Sequence, residues 1–226
     1  MNRARKWSWP DPTVKLTLVQ GFARKPCGIV DKRMTAISKL VWAAFALCWG
    51  VSRYRYGRRA RRNRQIEEQD RVYEVVLLTL SFAGYLGVPV LYVATPWLSF
   101  ADYPLAPVMF WAGVVFSAGS IWLFWRSHAD LGRNFSIRLV IREQHALVTT
   151  GVYRLIRHPM YASALLWSLG QACLLPNWLT GLAGLVGFCI LYFGRVRREE
   201  LLMLKTFGDD YRQYMSHTRR LVPYIY

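Results

Sequence analysis

The chain is short of acid, cysteine and histidine. Against 30 Lys and Arg it carries only 13 Asp and Glu, with four Cys and four His in 226 residues. Cys27, Cys48, Cys173 and Cys189 have no metal-ligand spacing, and three of them sit in apolar runs, where cysteine serves as a small hydrophobe. No Cys/His cluster suggests zinc or haem, no Gly-x-Gly-x-x-Gly follows a strand, and no Ser-centred nucleophile motif occurs. No metal is expected, and hydrolysis and redox-metal chemistry find little support. Residues 1–33 are basic, are broken by Pro10, Pro12 and Pro26, and lack the apolar core of a cleavable secretory signal.

What the chain does have is apolar and cationic at once: 54% hydrophobic, 15% aromatic, formal net charge +17. The two fit together if apolar residues face lipid and cations sit at the water boundary. A nucleic-acid-binding domain would spread its charge along one folded face. Here the charge falls in blocks between apolar runs, so a membrane is the expected partner and nucleic acid is not. The length suits one folded unit.

Val72–Val93 and Leu105–Trp125 are each long enough to cross about 30 Å of hydrocarbon at about 1.5 Å per residue. The link between them holds Pro96, Asp102, Pro104 and Pro107 but no Lys or Arg, which marks the non-cytoplasmic side, with Trp97 and Tyr103 at that interface. Tyr161–Gly194 is too long for one span and carries Pro176-Asn177 near its middle. It reads as a hairpin of two helices, Tyr161–Leu175 and Trp178–Gly194. Gly181, Gly184 and Gly187 recur every third residue, either to tune packing or to admit a neighbouring helix closely.

Thr35–Val51 is ambiguous. Its uninterrupted apolar core, Leu40–Val51, fits an interfacial helix as well as a span, and basic blocks flank both ends. The arginine-rich stretch 53–71 reads as a cytoplasmic loop drawn to anionic headgroups, each cation contributing about 1 kcal/mol near the surface. After Gly194 the pattern turns amphipathic. Leu201, Leu202, Leu204 and Phe207 form an apolar side behind Arg195, Arg197, Arg198, Glu199 and Glu200, predicting a C-terminal helix on the membrane or folded over a pocket. The expected fold is an all-α polytopic membrane bundle of about five transmembrane helices. A basic segment (1–33) comes first, then helices with the basic loop 53–71 (34–125), then a region (126–226) holding the hairpin 161–194 and the C-terminal helix.

Two polar clusters, His145–Tyr161 and Arg195–Glu200, flank the hairpin and so face one membrane surface. Cations at its entry and carboxylates at its exit make a site for a small zwitterion. Pro159 suits a first helical turn, where its missing N–H costs nothing. His158 before it either caps that helix or joins the exposed N–H groups in binding an anion. Arg157 either contributes there or snorkels to headgroups. Tyr153 and Tyr161 are site aromatics or ordinary interface residues, and Gly151 makes the turn after Thr149-Thr150. Glu199 and Glu200 bind a ligand or simply pair with neighbouring arginines.

The run His145-x-Leu-Val-Thr-x-Gly-Val-Tyr153-x-x-x-Arg157-His158-Pro159-x-Tyr161 resembles the signature of the isoprenylcysteine carboxyl methyltransferase family. That family's second block is similar to Arg195, Glu199-Glu200, Phe207-Gly208, Tyr211 and Tyr214, and its upstream turn to Leu131–Ser136. The resemblance covers about residues 128–223, and residues 1–70 have no part in it. It implies an integral-membrane methyltransferase using S-adenosyl-L-methionine without a soluble nucleotide-binding fold. The family's cofactor contacts map to His145, Leu147, Val148, Tyr153, His158, Pro159, Tyr161 and Glu199, and its acceptor contact to Arg195. Arg138 stands where eukaryotic members carry a glutamine.

The implied chemistry is a methyl transfer to a lipophilic acceptor, most simply a carboxylate of the isoprenylcysteine type held by Arg195. An amine or thiol acceptor would need Glu199 or Glu200 as base. Two rivals are an NADPH-dependent membrane sterol-type reductase, a family with a similar C-terminus, and a non-catalytic membrane scaffold. The short architecture suggests a bacterial inner membrane, with the site facing the cytoplasm.

Overall fold

The computed structural model describes residues 28–61, 71–131 and 147–223, and the regular structure among them is helical. In chain order come α1 (Gly28–Arg61), α2 (Arg71–Phe82), a π-helical segment (Ala83–Gly87), α3 (Val88–Ala94), α4 (Pro107–Leu131), α5 (Pro159–Leu174) and α6 (Trp178–His217). Lys32–Tyr56, Val72–Ala94, Pro107–Leu131 and Trp178–His217 are long and apolar enough to cross a membrane. The 16 residues of α5 add a fifth rod of about 24 Å. Large apolar side chains such as Leu40, Leu47, Val108, Trp111 and Phe193 point outward. In water this would be untenable; facing lipid it is the expected arrangement, and the all-α integral-membrane reading holds.

The middle of the α2–α3 rod shows how the bundle handles a buried proline. Pro89 has no N–H to give the Tyr85 carbonyl, and its ring crowds the preceding turn. The backbone widens into the π segment just before it. Side chains of α5 then serve the carbonyls there: Trp167 donates to Tyr85 O (3.5 Å) and Gln171 to Gly84 O (3.2 Å). In hydrocarbon no water would replace them.

Small residues set the helix spacing. A Cβ on Gly84 would lie 2.2 Å from the Ala183 carbonyl oxygen, and one on Gly187 would lie 2.9 Å from Ser81 O. The α2–α3 rod and α6 therefore touch backbone to backbone, the close approach that the glycine repeat allowed for. Between α4 and α5, Ser120 and Ser163 each donate to the other's carbonyl, at 2.8 and 2.9 Å, and Gly113 and Gly170 admit Leu174 and Ser117.

The hairpin turn is tied to the α3–α4 link. Asn177 accepts from the Thr180 N–H to start α6, and its amide donates to Leu98 O and to Asp102 Oδ1. Both connections thus lie at one end of the bundle. The start of α1 joins them there, since Lys39 donates to Tyr92 O at 3.3 Å. The other end of α1 places Trp49 and Tyr56 against Phe124 and His128 near the end of α4. Residues 35–51 therefore run the length of the bundle, which resolves the ambiguity about them.

Three expectations are revised. Helix α1 continues to Arg61, so the basic loop is shorter than 53–71, and 62–70 lie outside the described residues. The hairpin's second arm does not stop at Gly194. It runs on to His217, because the change from apolar to charged marks the edge of the hydrocarbon and breaks no hydrogen bond. Cys48 and Cys189 are exposed on the outer face rather than buried.

Candidate functional site

The site lies at the end of the bundle opposite the hairpin turn, where α5 begins and α6 leaves the apolar region. The chain reaches it through a turn at Gly151, whose φ of +61° is left-handed. A Cβ there would fall 2.1 Å from an Asp130 carboxylate oxygen, and the next N–H, from Val152, donates to that carboxylate at 2.9 Å. Asp130, at the end of α4, is itself paired with Arg126. The short 3₁₀ turn Gly151–Arg154 buries Tyr153, whose carbonyl accepts from the Tyr214 hydroxyl at 2.6 Å.

Pro159 opens α5 as its composition predicts, but His158 makes no side-chain cap. Its ring turns instead toward the first charged turn of α6. Nδ1 lies 3.6 Å from Glu199 Oε2 and Nε2 lies 3.4 Å from Glu200 Oε1. Burial alone would push the His158 pKa down. The two carboxylates outweigh burial and leave it raised, so the imidazolium is favoured.

The two glutamates, adjacent in sequence, have different partners. Glu199 accepts from the Tyr161 hydroxyl at 2.7 Å and lies 3.5 Å from Arg195 Nη2. Glu200 is gripped by Arg220 (2.7 and 3.1 Å) and by Arg157 Nε (3.3 Å) in addition to His158. Their side chains differ in access too, 24% exposed for Glu199 and 8% for Glu200. Glu199 keeps part of its side chain accessible, whereas Glu200 is surrounded by cations.

The C-terminal strap completes this enclosure. At Gly208 the backbone takes φ +52°, which kinks α6, and Tyr211 and Tyr214 beyond it are buried. Residues after Thr218 then lie along the approach to α5, with Arg157 N–H donating to Arg219 O (2.7 Å) and His158 N–H to Arg220 O (3.0 Å). The Arg157 side chain donates to the Met215 and Thr218 carbonyls. Arg157 thus points inward, and the snorkelling alternative is set aside.

Of the candidate residues, His158, Pro159, Tyr161, Arg195, Glu199 and Glu200 come together here, with Tyr153 buried in the turn that leads in. Leu147 and Val148 are half-buried and lie in the irregular approach to that turn. His145 and Arg138 lie outside the described residues. Two members of the cluster escape a reading of the sequence. Arg220 hides among terminal cations. Glu74, 2% exposed, sits in the first turn of α2 and lies 3.5 Å from Arg195 Nε. Its signal was a carboxylate inside a run otherwise read as a span, a feature that marks functional positions in membranes.

Fold and site together define a polytopic helical membrane protein with a buried ionic cluster at one surface. Residues 108–205 match the model of the isoprenylcysteine carboxyl methyltransferase (ICMT) family. A probable protein-S-isoprenylcysteine O-methyltransferase of Oryza sativa subsp. indica is 35% identical over 96 residues, 42% of this chain and 50% of that protein. Protein-S-isoprenylcysteine O-methyltransferase A of Arabidopsis thaliana is 36% identical over 96 residues, 42% and 49% of the two chains. The Homo sapiens protein-S-isoprenylcysteine O-methyltransferase is 31% identical over 83 residues, 37% of this chain and 29% of that one. A solved structure of a eukaryotic intramembrane Ras methyltransferase, ICMT, aligns with TM-score 0.44 and 26% identity, covering 68% of this chain and 52% of that one. The chain spans about half the length of the curated plant relatives it matches.

Proposed function

We propose that this protein is an integral-membrane methyltransferase that moves a methyl group from S-adenosyl-L-methionine to a lipophilic acceptor, a carboxylate of the isoprenylcysteine type. The observation that carries the reading is the cluster of His158, Tyr161, Arg195 and Glu199, built from the ends of two helices within the matching segment.

The residues present fit the donor. Glu199 is the most accessible of the three clustered carboxylates, at 24% against 8% for Glu200 and 2% for Glu74. It suits an ammonium group or a ribose hydroxyl. The imidazolium of His158 and the N–H groups of the first turn of α5 suit a carboxylate. Tyr153 and Tyr161 are aromatic faces for a cation, and Leu147 and Val148 an apolar edge for a base. His145 would complete this set. S-adenosyl-L-methionine supplies an electrophilic methyl on a sulfonium centre.

Arg195 holds the acceptor carboxylate through charge-assisted hydrogen bonds and sets its line of approach. A carboxylate is ionised near neutral pH and needs no base. This agrees with the partners of Glu200, whose contacts with Arg157, His158 and Arg220 make it a clasp rather than a proton acceptor. More cations lie at the site end, near Arg53 and at Arg195–Arg198, Arg219 and Arg220, than Lys32, Arg33 and Lys39 place at the hairpin-turn end, and this imbalance supports a cytoplasmic orientation.

The test uses detergent-purified protein. S-adenosylhomocysteine should raise its thermal unfolding temperature and NADPH should not. Tritiated donor should label an N-blocked S-prenylcysteine or a membrane lipid extract. Arg195→Ala should keep S-adenosylhomocysteine affinity within about twofold and lose most turnover. Stabilisation by NADPH alone would favour a reductase and refute the proposal.

A further inference from the structure

We infer that Glu74, which lies outside the family-matching segment, is a positioning residue that orients Arg195 for the methyl acceptor. The inference rests on the reading of Arg195 as the acceptor's anchor.

Helices α2 and α6 do not need a carboxylate to stay together. The Tyr73 hydroxyl already donates to Gly194 O at 3.2 Å, Arg198 stacks 3.9 Å over the Tyr73 ring, and Leu77 fills the space beside Gly194. Glu74 is placed among these contacts and is only 2% exposed. Removing a carboxylate from water costs several kcal/mol, and a buried ion pair often stabilises a fold no better than well-packed apolar side chains of similar volume. A buried acid kept at this cost points to a task.

Its geometry names the task. Arg195 lies between two carboxylates on different helices, Glu74 Oε1 at 3.5 Å from Nε and Glu199 Oε1 at 3.5 Å from Nη2. A lone i,i+4 pair with Glu199 would leave the guanidinium free to swing about its long stem. Adding Glu74 from α2 defines the plane of the fork, and bidentate recognition of an acceptor carboxylate depends on that plane. Glu199 is the partly accessible carboxylate expected to meet the donor, so when it turns to the donor Glu74 keeps Arg195 in place.

The experiment compares wild type, Glu74→Gln, Glu74→Asp and Glu74→Leu, using S-adenosylhomocysteine titration and initial rates with tritiated donor and an N-blocked S-prenylcysteine. Glu74→Gln should bind S-adenosylhomocysteine within about twofold of wild type. Its acceptor KM should rise or its kcat fall by about tenfold or more, and Glu74→Asp should recover part of the loss. Glu74→Leu, which leaves the buried Arg195 with Glu199 as its remaining counter-charge in the site, should lower the unfolding temperature and turn over no better than Glu74→Gln. Wild-type kinetics in Glu74→Gln, or equal losses of donor binding and turnover, would refute the positioning role and leave the methyltransferase reading standing. A wild-type protein that binds no S-adenosylhomocysteine and labels no acceptor would overturn both.

Discussion

Arg220 holds Glu200 along one edge of its guanidinium, Nη2 to Oε2 at 2.7 Å and Nε to Oε1 at 3.1 Å. The carboxylate belongs to α6 and the arginine to the strap that follows the same helix, so the pair closes the chain back onto the site. Arg220→Met removes both bonds. Because Arg220 is 36% exposed, solvent screens the pair and the cost is about 1 kcal/mol. Thermal unfolding in detergent should fall by a few degrees, and limited proteolysis should cut the strap faster. Unchanged cleavage near Thr218 would show that the pair holds nothing.

The adjacent glutamates should separate under the same isosteric change. Glu199→Gln should weaken S-adenosylhomocysteine binding by about tenfold or more and lower the unfolding temperature less than Glu200→Gln does. Glu200→Gln should mainly lower the unfolding temperature, because Arg157, His158 and Arg220 lose a shared counter-charge. Calorimetric titration and a melting curve for each variant decide the matter. Equal effects on binding would contradict the division of roles.

His158 predicts a pH dependence of stability. Its native pKa is raised above the ordinary value because Glu199 and Glu200 outweigh burial. The folded state then binds the proton more tightly than the unfolded chain. The stabilisation is complete below the unfolded value of about 6.5 and is lost as pH rises through the raised native value. The ligand-free protein should melt at lower temperature on the alkaline side, and His158→Gln should flatten that slope. A wild-type melting temperature that climbs across the same window would reverse the sign.

Gly84 and Gly87 make a contrasting pair in the π segment. A Cβ at Gly84 would collide with the Ala183 carbonyl, whereas one at Gly87 meets only the Ala83 methyl at 3.8 Å. Gly84→Ala should cost about 1–3 kcal/mol by forcing α6 away, and Gly87→Ala should be close to neutral. Chemical or thermal unfolding of the two variants side by side provides the check. A Gly84→Ala protein as stable as Gly87→Ala would mean that the helices are not in backbone contact.

The parts of this architecture that depend on local pattern were legible in the residues. Run lengths, Pro176-Asn177 and the charge blocks specified the spans, the hairpin and the end at which the site forms. Pro159 and Gly151 marked the turn into α5. Other features were hidden because their cause lies elsewhere in the chain. Nothing local distinguishes a helix that stops at Gly194 from one that runs on to His217, since the same amphipathic stretch is helical either way. The direction of Arg157 depended on carbonyls of residues 215 and 218, and no pattern near 157 reports them.

By itself the sequence determined that the chain is helical, that it lives in a membrane, and that His158, Arg195 and Glu199 gather at one surface. Each of these follows from length, periodicity or the return of a hairpin. Only the tertiary structure decided how the charges are partnered: Glu74 on Arg195, Arg220 on Glu200, Tyr161 on Glu199. Ion pairs and hydrogen bonds depend on ångström-scale approach between helices, and that approach is set by close packing at Gly84, Gly170 and Gly187 rather than by the charged residues themselves.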